Sequence, residues 1–181
     1  LSTILVLFVA YSMSRFRFKA RKPFMRVALI LGMFPGFMAM IAVYYILKAI
    51  GLDGKLASLV LVYVGGAGLG FYVAKGFFDT VSKSLDEAAR LDGATNWQVF
   101  WRVIFPLSKP IIVYTALMAF ISPWSDFIFA KVILGTNRES YTVAIGLFEF
   151  LETSRKSTYF TCFAAGSIVV AVPIVLLFMF M

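Results

Sequence analysis

The chain has 181 residues, of which 61% are hydrophobic and 14% charged; ordinary soluble domains carry about 25% charged residues, so this is a membrane protein. Seventeen Lys and Arg against nine Asp and Glu give a net charge of +8, which membrane topology accounts for, so no nucleic-acid partner is expected. Histidine is absent and Cys162 is the single cysteine, which excludes an internal disulfide, His-ligated metal sites and the Ser/His/Asp or Cys/His catalytic arrangements.

In chain order, the opening apolar run Leu1–Met13 would rise only about 20 Å as a helix against a hydrocarbon core of about 30 Å. It is expected to be the second half of a spanning helix of a longer chain. Its charges follow the apolar run, which is the wrong order for a signal peptide. The basic segment Arg15 to Arg26 comes next, expected to be a topology determinant near anionic headgroups. Val27–Leu47 is long enough to cross, at roughly 31 Å, and its Pro35-Gly36 pair predicts a kink.

Leu56–Phe78 is the next span and carries Gly65, Gly66, Gly68 and Gly70. A nucleotide-binding reading of these glycines fails, because they lie within a span and no G-x-x-x-x-G-K-[ST] occurs in the chain. Gly66 and Gly70 form GxxxG and are expected to serve close helix packing. Ile111–Leu134, with Pro123, and Tyr159–Met181, with Pro173, complete four full spans. Eleven Lys and Arg fall in Arg15–Arg26 and around the 79–110 loop, against six on the other side. By the positive-inside rule the 79–110 loop is cytoplasmic, and the connection 135–157, with a short amphipathic helix near Val143–Leu151, faces outward.

The cytoplasmic loop divides into two short helices. Ser84-Leu85-Asp86-Glu87 has the S-x-x-E form of a capping box, in which Ser84 caps and Glu87 reaches back to its N–H; Thr95-Asn96-Trp97-Gln98 has the T-x-x-Q form. Gly93 between them suits the left-handed turn that ends a helix, and Pro106 and Pro110 punctuate the return to the membrane. Trp97, Phe100, Trp101 and Ile104 share one helical face, expected to meet the lipid interface or neighbouring spans. The small Ala88-Ala89 pair permits close approach by a partner groove.

Ser122-Pro123-Trp124-Ser125-Asp126 is the most polar intramembrane stretch, with Asp126 about 23 Å from the inner surface. Its carboxylate either satisfies backbone groups freed at the Pro123 kink or lines a transport pathway. Ser122, Trp124, Ser125, Tyr114 and Tyr44 are the accompanying candidates for pathway lining, the aromatic ones equally suited to anchoring at the interface.

Glu87-Ala88-Ala89, three residues, Gly93, nine residues and Val103-Ile104-Phe105-Pro106 resemble the "EAA, G, I-x-L-P" loop of ABC importer permeases, with Val103 where Ile is usual and Phe105 where Leu is usual. The flanking "ARLDGATNWQVFWRVIFPLSKP" and the later "WSDFIFAKVILGTNRESYTVAIGL" are similar to sugar importers, most of all the smaller permease subunit of maltose and maltodextrin systems. The resemblance runs over nearly the whole chain. It implies an all-α polytopic membrane protein of the type I ABC importer transmembrane fold, a single permease domain with its first span, most of its second and its C-terminal tail missing.

The same resemblance makes the loop a coupling helix that docks on an ATPase subunit, through Leu85, Glu87, Ala88, Ala89, Leu91, Asp92 and Gly93. It implies as partners a second permease, a dimer of ATP-binding cassette ATPases, an extracytoplasmic sugar-binding protein touched by the outward loop, and the lipid bilayer. Localisation would be the bacterial or archaeal cell membrane. No cofactor is expected on this chain; ATP and Mg would sit on the ATPase. No catalytic residue and no metal ligand are expected. An ion-coupled secondary transporter is the rival reading, but Asp126 is the one strong intramembrane charge available to it. A membrane enzyme would need a cluster of acids or ligands that the spans lack.

Overall fold

A computed structural model describes residues 1–152 and 156–180, and all regular elements among them are helical. The helices are α1 (Ser2–Arg15), α2 (Arg21–Met33), α3 (Gly36–Ala49), α4 (Leu56–Ala67), α5 (Phe71–Thr80), α6 (Lys83–Leu91), α7 (Asn96–Val99), α8 (Phe105–Leu107), α9 (Lys109–Ser125), α10 (Ile128–Leu134), α11 (Val143–Glu152) and α12 (Lys156–Met179). Gly68–Gly70 forms a 3-10 turn joining α4 to α5, and Phe100–Ile104 a π turn joining α7 to α8. The chain divides into two compact units, one of residues Leu1–Gly32 with Val64–Ala116, the other of Met33–Tyr63 with Leu117–Met181.

Leu56–Thr80 and Tyr159–Met179 are each long and apolar enough to cross a membrane. The span expected over 27–47 is two helices. Pro35 has no N–H to give to a continuing ladder, so α2 ends at Met33 and α3 starts at Gly36. The span expected over 111–134 also breaks, at Asp126-Phe127 and not at Pro123, which lies inside α9.

In the first unit α1 lies along α5. Leu7, Ala10, Phe71, Ala74 and Phe78 form its centre, and Val99, Phe100 and Ile104 are buried with them. The close approach of α1 falls on Gly68, where an added Cβ would meet Leu5 Cδ2 at 3.0 Å. A Cβ at Gly66 or Gly70, the pair expected to serve helix packing, would meet nothing within 4 Å among the described residues, so neither is where α1 approaches. The 3-10 turn is the reason, since it rotates Gly68 onto the α1 side.

The second unit is centred on Leu47, Leu59, Ala130, Ile133, Leu134 and Ile145. The turn after α3 is tied to the end of α10 by Gly54 N–H donating to Ile133 O at 3.1 Å and Asn137 Nδ2 donating to Gly54 O at 2.8 Å. Helix α11 packs against α12, with Phe148 edge-on to Phe163 at 6.1 Å between ring centroids, and Phe148 also stacks on Phe127, just before α10, at 4.3 Å. Arg155 and part of the outward loop lie outside the described residues.

Candidate functional site

The corner between α6 and α7 is built from two local stop-and-start signals. Helix α6 ends with Gly93 at φ +83°, while Gly93 N–H donates to Arg90 O at 3.0 Å and Ala94 N–H to Ala89 O at 2.9 Å. Those two bonds, with a left-handed glycine between them, are the Schellman arrangement that satisfies the last carbonyls of a helix. Two residues later Thr95 opens α7 with a full capping box: Gln98 N–H donates to Thr95 Oγ1 at 3.3 Å, and Thr95 N–H to Gln98 Oε1 at 2.8 Å.

The start of α6 differs from the sequence expectation. Ser82 caps it, its Oγ accepting from Ser84 N–H at 3.3 Å, so Ser84 lies inside the helix and Glu87 plays no capping role. The cause is tertiary. Val81 is held extended, and Arg15 Nη2 donates to its carbonyl at 2.9 Å, which fixes where the helix can begin.

Helix α6 presents an inverted pattern. Leu85, Ala88 and Leu91, spaced three apart and therefore on one face, are all exposed, Leu91 at 89%. Asp86 is buried instead. Glu87, Asp92 and Gly93 are also exposed, whereas Ala89 is half-buried against the core. Inside the bend, Ala89, Asp92, Gly93, Gln98 and Arg102 border a cavity of about 350 Å³. Six of the seven residues expected to contact a partner thus lie on an open surface.

The stripe on the following helix is divided. Phe100 and Ile104 are buried, with Phe100 4.8 Å from Tyr11 and 5.2 Å from Phe8 between ring centroids. Trp97 stacks on Phe8 at 5.7 Å and stays 62% exposed. The π turn admits one extra residue, which brings Val99 into the core beside Phe100 and Ile104.

Sequence reasoning missed the residue behind the corner. Arg15, read there only as a topology charge, is buried with Asp86: Arg15 Nε lies 2.9 Å from Asp86 Oδ2, with side-chain exposures of 2% and 7%. Burial pushes the Asp86 carboxyl above the ordinary aspartate value, while Arg15 and Arg90 pull it down. Next to them Ser14 Oγ donates to Asp79 Oδ1 at 2.6 Å, and Asp79 also pairs with Lys75. The available signal was the inverted pattern of α6, in which an acid occupies the inward face.

The pathway candidates fall in both units. Tyr114 is exposed and belongs to the first. In the second, Asp126 Oδ1 accepts Phe129 N–H at 3.1 Å and Oδ2 accepts the Tyr63 hydroxyl, so the carboxylate satisfies backbone freed at the break. Ser125 Oγ donates to Ile121 O at 2.8 Å, and Ser122 is exposed. Tyr44 lies beside Tyr45 and below Lys48. Trp124 Nε1 donates to Val170 O at 3.1 Å and its ring stacks on Phe120 at 5.1 Å. With Tyr141 and Thr142 these two rings border a cavity of about 370 Å³.

Residues 3–181 match the family described as binding-protein-dependent transport system inner membrane component. The galactooligosaccharides transport system permease protein GanQ of Bacillus subtilis is 38% identical over 178 residues, which cover 98% of this chain and 62% of that protein. The maltodextrin transport system permease protein MdxG of Bacillus subtilis is 37% identical over 182 residues, covering 100% and 65%. The maltose/maltodextrin transport system permease protein MalG of Vibrio vulnificus is 34% identical over 176 residues, covering 94% and 58%. The chain therefore spans less than two thirds of the length of these relatives.

Proposed function

Since the chain belongs to the inner-membrane components of binding-protein-dependent transport systems, with the all-helical type I ABC importer membrane fold, we propose that it is the permease subunit of an ATP-driven oligosaccharide importer. The observation that carries the coupling half of this reading is the outward stripe Leu85, Ala88 and Leu91 on α6, above a buried Asp86. A cytoplasmic helix that turns its leucines to solvent has an apolar face to cover, and a groove on a separate ATPase is the occupant that fits a helix-in-groove contact.

The corner can pass on force because both of its ends are fixed. The Gly93 turn and the Thr95 box set the angle between α6 and α7, and burial of Val99, Phe100 and Ile104 seats α7 on α1. Closure of the ATPases would displace α6, and the helices joined to it would rock as bodies between inward-facing and outward-facing forms. ATP and Mg sit on the ATPase in this scheme, and a second permease and an external binding protein complete it. No covalent chemistry on the sugar is assigned to the chain.

For the cargo, the named sugars of the relatives are galactooligosaccharides and maltodextrins, which supports an oligosaccharide of the maltodextrin type or a galactooligosaccharide. Trp124, beside a cavity that also has Phe120, Tyr141 and Thr142, offers the aromatic face and hydroxyls that a sugar takes up. The test is uptake into vesicles holding the complete importer, with labelled maltodextrin and galactooligosaccharide supplied outside with the binding protein and ATP inside or omitted. ATP-dependent accumulation of one sugar is the expected result. Uptake that follows a proton or sodium gradient and ignores ATP would refute it.

A further inference from the structure

We propose that the buried Arg15–Asp86 ion pair is a positioning link that ties the docking helix α6 itself to α1, in addition to the apolar seat that α7 has on the same helix. The inference rests on the docking reading of α6. The last two residues of α1 make three contacts with the segment that leads into α6: Ser14 Oγ donates to Asp79 Oδ1 at 2.6 Å, Arg15 Nη2 donates to Val81 O at 2.9 Å, and Arg15 Nε lies 2.9 Å from Asp86 Oδ2. They hold the end of α5, the connection and the first turn of α6 in succession. Asp86 lies on the same short helix as Leu85, Ala88 and Leu91, so a displacement of that outward face reaches the end of α1 through one salt bridge.

Stability alone does not account for the pair. Burying both charges costs desolvation that their attraction barely repays, and an apolar pair of similar volume is often as stable. Here the account is poorer still, because Arg15 Nε and Nη1 and Asp86 Oδ1 are buried with no hydrogen-bond partner among the described residues, so the 2.9 Å contact is an ion pair without hydrogen-bond geometry. The guanidinium instead takes its direction from the Arg15 Nη2 bond to Val81 O, and the attraction between the two charges at 2.9 Å holds Asp86 against it. Arg15 also ends α1, where a cation complements the helix dipole and the pull would act along the helix axis.

The experiment uses the full-length permease in the complete importer, in proteoliposomes, with ATP hydrolysed and sugar accumulated measured on the same vesicles. In Arg15→Gln and in Asp86→Asn, sugar carried per ATP is expected to fall by about tenfold, the scale of a coupling free energy between linked sites, while the ATPase still copurifies. The exchanged pair Arg15→Asp with Asp86→Arg should recover most of the ratio. Unchanged sugar per ATP in the single variants overturns the link.

Should the single variants fail to accumulate, Arg15→Cys with Asp86→Cys in a full-length permease whose other cysteines, Cys162 included, are replaced by Ser, joined by a short thiol crosslinker, decides the matter. A link that stays closed through the cycle predicts retained ATP-driven uptake, and arrest on crosslinking overturns it. If the ATPase does not copurify with the wild-type permease, the docking reading itself has failed, which is a different result from an intact but unaffected importer.

Discussion

Leu91→Ala isolates the docking surface from the fold. The side chain is 89% exposed at the end of α6, so its truncation should change the chain's own stability by no more than about 0.5 kcal/mol, as at other exposed positions. Complete burial of a leucine contributes roughly 1.5–3 kcal/mol. If Leu91 is covered in the complex, about 2 kcal/mol of binding is at stake, which is about a thirtyfold rise in Kd. Leu85, 41% exposed on the same face, has less left to bury and should cost less. The assay is binding of purified ATPase to the permease held in nanodiscs, with thermal unfolding of the same samples and Asp53→Ala, exposed in the turn after α3, as control. A Kd for Leu91→Ala within about twofold of wild type would refute the argument, as would a loss of binding matched by a loss of thermal stability.

At Gly93 the φ of +83° is the whole constraint, since an added Cβ would meet nothing within 4 Å; Gly93→Ala should cost about 1–2 kcal/mol, and Gly93→Asn less. Equal Tm values for the two variants and wild type would show that the turn is not what holds the corner. Replacing Gly66 or Gly70 by Ala should be neutral or stabilise by about 0.4–1 kcal/mol; Gly68→Val, pressed against Leu5, should destabilise by about 1–3 kcal/mol. Unfolding in detergent ranks the three, and an equal loss at all of them would return the packing role to GxxxG. Asp126→Ala strips the partner from Phe129 N–H and the Tyr63 hydroxyl and should cost about 1–3 kcal/mol. Asp126→Asn keeps an acceptor and should cost less, and a larger effect of Asn on sugar uptake than on Tm would move Asp126 from support to pathway.

What could be read from the sequence was set by how far each signal reaches. The Gly93 turn and the Thr95 box each close within a few residues, so neighbours in sequence suffice to infer them. The start of α6 is not of that kind. Two serines compete for the cap, and Ser82 prevails because Arg15, far back in the chain, fixes Val81. GxxxG has a related limit: the motif states that a surface is smooth, but within this chain Leu5 meets Gly68 and neither glycine of the motif. Trp124 donating to Val170 O, and Asp126 serving a tyrosine on α4, are likewise pairings across helices. Pro35 was legible because a missing N–H acts on its own ladder, whereas Pro123 sits inside α9 and the break comes at Asp126, whose carboxylate can take up the N–H of Phe129.

Both oddities of α6 lead to the same conclusion. A helix optimised for its own chain would turn Leu85 and Leu91 inward and leave Asp86 in water; α6 does the reverse. Each face taken alone is a local conflict, and such conflicts concentrate where function overrides stability. The outer face gains only when something covers it, and the inner face gains little except a fixed bearing on α1. A helix with one face waiting for a partner and the other bound by charge to a neighbouring helix is suited to carrying displacement, and the capped Gly93 corner keeps that displacement from being absorbed as bending.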